Sequence, residues 1–430
     1  MSSPFRHQVA VAATGIAVAL ACAPPPASAQ VAGTPEIVAF DDAVQRAIAA
    51  NLTVERASTA VLAAEALLAQ ARAAVKPTAG GSAVVTVLDD ERGFSGNVVQ
   101  PRTQLTLAGS IDVPVLAASQ WAARAQAADQ VALATLTVAD IRRQVGVAAA
   151  QAYLAVVTGK RQVEVNERAR DTARAQLEYA TVRREGGVGS RLNEARAAQE
   201  LAVTEELVER SRLVVTLGQE ALGRLLAADH PVDVAGAPAL ETPAADGEAW
   251  WTARTDIRLF DARVDAQTRV VDDSRRDWVP TIAASFQPQY ITPAGLFQPS
   301  GTWRALLSAS IPLYDGGQRR ATRARRQADL ALFRVDRRDA ELSAKSEVRI
   351  ARATIEAEWR ALGRSRDAAT HAAEVLRITD VAFRAGATTN IELVDAQRRA
   401  RDAESSVALA EDRARLARLA LLVALGRFPG

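Results

Sequence analysis

The 430-residue chain carries 52 Lys and Arg against 50 Asp and Glu, a net charge of +2, which excludes the general electrostatic pull of a nucleic-acid-binding protein. Hydrophobic residues make up 49% of it but aromatics only 4%, so alanine carries the apolar count and closely packed helices suit it better than a large aromatic core. One cysteine and three histidines leave no disulfide and too few ligands for a Cys/His zinc site; no metal and no cofactor is expected.

The N-terminus reads as an export signal over residues 1–29. Arg6 and His7 give a basic start, Val9 to Cys22 is apolar, and Ala27-Ser28-Ala29 is a small-x-small cleavage site that places the mature start near Gln30. The apolar run is about 14 residues, short of the roughly 20 that a spanning helix needs. Cys22 offers lipidation as an alternative, although Leu20 sits one place away from where a bacterial lipobox wants it. No later stretch is long and apolar enough to span a bilayer as a helix, so any membrane must be crossed by strands.

In residues 30–230, Phe40, Ala43, Val44, Ala47 and Ile48 follow helical spacing in a segment that ends at Lys76-Pro77. Strand patterns follow. Ala83, Val85 and Val87 come first; then Leu105, Leu107, Ile111 and Val113 alternate with Gln104, Thr106, Ser110 and Asp112 up to Pro114. From Val115 to the glycines at 186–189 about 70 residues lack proline, which as one helix would span about 105 Å. The run Gly186-Gly187-Val188-Gly189 lacks a preceding strand and a following Lys-Ser/Thr, so it reads as a helix-to-helix turn and not a phosphate loop.

A linker rich in Pro, Ala and Gly, residues 231–247, leads to residues 248–430, where the same order recurs. A helical segment runs from about Trp250 to Val279-Pro280, with Trp250 and Trp251 assigned to packing. In Thr281 to Tyr290, Ile282, Ala284, Phe286, Pro288 and Tyr290 share one face; from Thr302 to Ile311, Trp303, Ala305, Leu307, Ala309 and Ile311 do. Pro312 and Asp315-Gly316-Gly317 then open a second proline-free stretch. Tyr290, Phe297, Trp303 and Tyr314 sit near strand ends, as interfacial aromatics do.

Pro114 and Pro312 are 198 residues apart, and Gly187 and Gly386 are 199 apart, so one unit of about 200 residues occurs twice. Alternation over about 9–11 residues suits a tilted strand crossing a bilayer. It also suits a soluble sheet. Four strands cannot close a membrane barrel, so the membrane reading needs several chains to contribute together. The alternative is a periplasmic or surface coiled-coil protein that transports nothing. An enzyme is a distant third, since no nucleophile, base and orienting group can be assembled.

Two motifs are specific. Ser-x-Pro-Leu-Tyr-Asp-Gly-Gly runs from Ser310 to Gly317, and G-x-x-S/T-x-x-D/E/N-x-x-x-A appears as Gly187, Ser190, Asn193, Ala197 and as Gly386, Thr389, Glu392, Ala396. With the repeat, they make the chain resemble the TolC-like outer-membrane efflux proteins over almost all of its mature length. That resemblance implies a homotrimer in which four strands per chain form a 12-stranded outer-membrane β-barrel and the helices a long periplasmic α-barrel. It implies a passive duct of an efflux or type I secretion system. The partners would be a periplasmic membrane-fusion adaptor, an inner-membrane pump of resistance-nodulation-division, ABC or major-facilitator type, and outer-membrane lipid. Both turns would meet the adaptor, through Gly187, Ser190, Gly386 and Thr389.

By the same resemblance Glu392 and Asp395 ring the periplasmic entrance, with Asn193 in the first turn. Positions i and i+3 share a helix face, so three chains would gather six carboxylates near the axis. Acids also favour a helix N-terminus with no further role. The chain departs from the family pattern in three places. Phe383 stands where the best-known member has tyrosine, Asn193 replaces the acid that tyrosine bonds, and Asn51-Leu52 replaces Asn-Pro.

Overall fold

The computed structural model describes residues 35–241, 249–297 and 299–429; the signal-peptide and Cys22 readings fall outside them. The described chain starts with strand β1 (Glu36–Val38) and helices α1 (Phe40–Ala50) and α2 (Leu52–Ala73). The helical segment ahead of Pro77 is therefore split. At Asn51 the backbone turns extended, and its side chain accepts a hydrogen bond from the Thr53 amide at 2.8 Å, capping α2.

Strand β2 (Thr78–Val87), a short ribbon of β3 (Arg92–Phe94) and β4 (Asn97–Gln100), and strand β5 (Thr103–Leu116) come next. Helices α3 (Ala118–Glu185) and α4 (Arg191–Leu225) form a hairpin, followed by β6 (Val232–Val234). The second repeat has α5 (Thr255–Asp273), β7 (Thr281–Thr292), β8 (Gly301–Ser310), α6 (Gln318–Arg384) and α7 (Asn390–Ala424). α3 and α6 are 68 and 67 residues long, each about 100 Å at the helical rise. α4 and α7 are both 35 residues long.

One antiparallel sheet joins the repeats in the order β2-β5-β7-β8. Its register sets Leu107 against Tyr290 and Ile111 against Phe286, so the apolar residues of both repeats share one face. That face is bare: Trp303 and Leu307 are 71% and 74% exposed. The outer edges of β2 and β8 have no partner strand among the described residues. No described helix is long and apolar enough to cross a membrane.

The core lies in a belt around the middle of α3. Ala43, Ala47, Val54, Val145, Ala149, Tyr153, Val156 and Leu222 are buried together, and Phe40 meets Tyr153 edge-on at 5.3 Å. Small residues let α1 approach α3 closely, which explains the alanine content. Across the belt, Val44, Ala150 and Leu154 pack against Leu419 of α7. Trp250 packs on Val348, Ala351 and Leu421, as a packing residue should.

β6 lies parallel to β1 and is buried throughout, although it falls at the start of the segment read as a linker. Asp233 anchors it by accepting from Lys160 Nζ at 2.6 Å and Gln219 Nε2 at 3.0 Å. Burial pushes the Asp233 carboxyl up, but these hydrogen bonds outweigh it and hold the carboxyl below its ordinary value.

Candidate functional site: helix turns and strand-to-helix junctions

Both long helices end in the same way at the turns. Gly187 and Gly386 take φ of +77° and +74°, a region closed to most side chains, and let the next amides bond back five residues, Val188 to Arg183 O and Ala387 to Ala382 O. Three residues later the next helix begins on a hydroxyl cap. Ser190 Oγ accepts from the Asn193 amide at 3.2 Å, and Thr389 Oγ1 from the Glu392 amide at 3.4 Å. In the second turn Glu392 also reaches back to accept from the Thr389 amide at 3.3 Å, which completes a capping box.

The structure thus gives Glu392 local work beyond its charge. Both Glu392 and Asp395 are exposed, and Asp395 pairs with Arg399 on the same helix at 2.9 Å. Asn193, Gly386 and Thr389 come together with Phe383 around a cavity of about 390 Å³ between the two turns. Glu392 and Asp395 do not line it.

Phe383 meets Tyr179 edge-on at 5.9 Å, and Tyr179 accepts a hydrogen bond from Arg183 Nη1 at 3.1 Å. Gln176 Nε2 donates to Oδ1 of the buried Asn390 at 3.1 Å, and Glu200, itself buried, accepts from Arg398 Nε at 2.7 Å. These contacts near the turns, with others farther along such as Gln162 Nε2 to Ser405 Oγ at 2.9 Å, clasp the α3–α4 hairpin to α6–α7. Sequence reasoning missed Tyr179, Gln176 and Glu200; only their spacing near the turns marked them.

The two junctions differ. Pro114 lies inside β5, opposite Ala283, at a register shift, and the strand continues to Leu116 before α3 starts. Proline lacks an amide donor, so an irregular pair is where a strand tolerates it. Pro312 lies beyond β8, in a segment without strand pairing that reaches to Gly317. There Asp315 accepts from the Gly317 amide at 3.1 Å, the Arg319 amide at 3.0 Å and Arg319 Nε at 2.6 Å. Gly316 and Gly317 take φ of +63° and +92°.

Arg319 also donates to Pro312 O at 3.0 Å and stacks over Trp278 at 4.2 Å. The Arg319 hydrogen bonds, and then those of the backbone amides, hold the Asp315 carboxyl at about 2. The described residues contain no cluster of His, Cys, Asp or Glu fit to hold a metal ion.

The family model described as "Outer membrane efflux protein" matches residues 252–427. A comparison with curated protein sequences gives no match. Among solved structures, the chain is similar to the Campylobacter jejuni CmeC outer membrane channel, with 13% identity, a TM-score of 0.78 and coverage of 90% of this chain and 85% of that one. It is similar to the outer membrane protein VceC of Vibrio cholerae, with 17% identity, a TM-score of 0.73 and coverage of 90% and 96%. The open state of the Neisseria gonorrhoeae MtrE outer membrane channel matches with 18% identity, a TM-score of 0.75 and coverage of 90% and 88%. At such identities these structures establish a shared fold, and that fold extends over both repeats. The second repeat thus matches the outer membrane efflux protein family, and the fold that the chain shares with these outer-membrane channels extends over both repeats.

Proposed function

We propose that the protein is the outer-membrane exit duct of a tripartite efflux or type I secretion system, conducting small molecules or polypeptide without chemistry. One observation carries this most strongly: a four-stranded sheet with a bare apolar face and two unpaired edges sits at the end of two helices of about 100 Å. Open edges and unpaired backbone groups are not viable in lipid, so β8 of one copy must pair with β2 of the next. Three copies close a barrel of 12 strands, and their helices a periplasmic tube.

In this reading the turns at Gly187, Ser190, Gly386 and Thr389 meet the membrane-fusion adaptor, which links the duct to an inner-membrane pump. Glu392 and Asp395 in the second turn, with Asn193 in the first, form the gate at the tip. With Phe383 packed on Tyr179, the contact that holds the hairpins at this level is aromatic. Opening is then a separation of hairpins that breaks the Gln176–Asn390 and Glu200–Arg398 contacts.

Single-channel recording in a planar bilayer tests the reading. The wild type is expected to give a low, cation-preferring conductance. Glu392→Gln with Asp395→Asn should raise it and weaken the preference, because glutamine preserves the cap acceptor and removes only charge. A trimer that inserts and passes no current in either form overturns the proposal.

A further inference from the structure

The four strands of the sheet hold two charged residues, Asp112 on β5 and Arg304 on β8. Both lie on the polar face, opposite the one that carries Trp303 and Leu307. Given the duct described above, on which this inference rests, that face lines the lumen.

The register fixes their neighbourhood. Arg304 pairs with Gln287 and Asp112 with Ser285, which pairs with Leu306, so the two charges lie two residues and two strands apart. At strand spacings of about 3.4 Å along and about 4.8 Å across, that is about 12 Å, too far for an ion pair. Neither has an ion-pair partner among the described residues. Arg304 is held instead by its Nε donating to Gln287 Oε1 at 2.7 Å, which leaves the far end of the guanidinium unbonded.

On the same face of the neighbouring strands stand Gly80, Ser82, Ala108 and Ser110, all small residues. Small neighbours give the arginine room to extend. A barrel of 12 strands tilted by about 40° has a backbone radius of about 12 Å. An arginine reaching roughly 6 Å inward then lies within one Debye length of the axis at 0.1 M salt, about 10 Å.

We propose that Asp112 and Arg304, in three copies each, form a charge-balanced girdle in the lumen of the β-barrel and set the ion selectivity of the exit. Each ring cancels the other's preference, so removing either one exposes the other. Arg304 makes the lumen tolerant of anions, and Asp112 of cations.

The test is the K⁺ to Cl⁻ permeability ratio from reversal potentials in 0.1 M KCl gradients, with Glu392→Gln and Asp395→Asn present so that the tip contributes little. Arg304→Gln should raise the ratio and Asp112→Asn lower it, each on the order of threefold, since three charges about 6 Å from the axis are only partly screened. The double variant should return close to the parent value, and Arg304→Lys should match the parent. Current with a ratio unmoved by either single change overturns the girdle and leaves the duct standing. Absence of current in every form overturns both. An Arg304→Lys ratio equal to that of Arg304→Gln also overturns the girdle, because it would show that the Gln287 contact and not the charge matters.

Discussion

Asn51 and Arg254 do the same job in the two repeats with opposite chemistry. Each is the buried residue at the N-terminus of its repeat's short helix, and each donates to a carbonyl at the end of its repeat's last helix: Asn51 Nδ2 to Leu225 O at 2.9 Å, and Arg254 Nη1 to Ala424 O at 2.8 Å. The acceptors are 199 residues apart, the offset of the helix turns. Asn51 needs nothing further. Arg254 brings a charge into the belt, and two carboxylates answer it, Asp256 with a bidentate pair at 3.0 and 2.7 Å and Glu347 at 2.8 Å. Burial pushes the Asp256 carboxyl up, and the Arg254 hydrogen bonds more than reverse this. A duplicated fold can thus keep a contact while changing what a mutation there costs.

Removing the two residues should break the equivalence most visibly. Arg254→Ala leaves a carbonyl and two acids without their cation and should cost about 3 kcal/mol, the low end for a buried pair because Glu347 is half exposed. Asn51→Ala loses a cap and one hydrogen bond, about 1–2 kcal/mol. Thermal unfolding of the detergent-solubilised protein reads both; equal losses would mean that the charge adds nothing.

The residues just past these acceptors sharpen the comparison. Ala227 and Gly426 occupy the same left-handed position, φ +55° and +70°, and both helices close with an amide bonding back five residues. A Cβ on Gly426 would lie 3.0 Å from Arg254 Cγ. Gly426→Ala should therefore destabilise by about 1–2 kcal/mol, while Ala227→Gly should stabilise by up to about 0.5 kcal/mol. Chemical denaturation midpoints that move in the same direction would contradict this.

The smallest effect concerns the junctions. Asp315 is held at about 2 against an ordinary 3.8, and the first junction offers only Ala117 and Ala118 there. A depressed carboxyl contributes stability that is full above the ordinary value and lost as pH falls through about 2. Tryptophan emission, sensitive to the Arg319 stack on Trp278, should change as the pH falls from about 3 to about 1 in the wild type and lose that step in Asp315→Asn. An identical titration in the two proteins would show that Asp315 does not secure the second junction.

Most of the architecture was legible because it rests on periodicity. Strand alternation at Leu105–Val113 and Ile282–Tyr290, two proline-free stretches and paired glycines were enough to predict the long strands and helices, though not the short β3–β4 ribbon or the break at Asn51. The β1–β6 pairing was not, since strands of three residues carry too little pattern and their partner lies almost 200 residues away. Arg254 looked like any arginine in an arginine-rich chain; its burial comes from the start of α5 and the end of α7 meeting against the middle of α6. At the turns, the glycines marked where one helix ends and the next begins, while the capping by Ser190 and Thr389 is visible only in the structure. The pairing of Phe383 with Tyr179 depends on how two hairpins lie together, which no local motif encodes.

The equal lengths of α4 and α7 have a mechanical consequence. Each runs 35 residues from the packed belt to its turn, an arm of about 52 Å. A tilt of about 5° at such a fulcrum moves the far end by about 4–5 Å, roughly the width of a side chain, with little rearrangement of the buried alanines. In the proposed duct the well-packed belt serves as the pivot, and the clasps near the turns are what the lever works against. Because both arms are the same length, a shared rotation in that duct would keep the two turns level, as the adaptor docking proposed above requires.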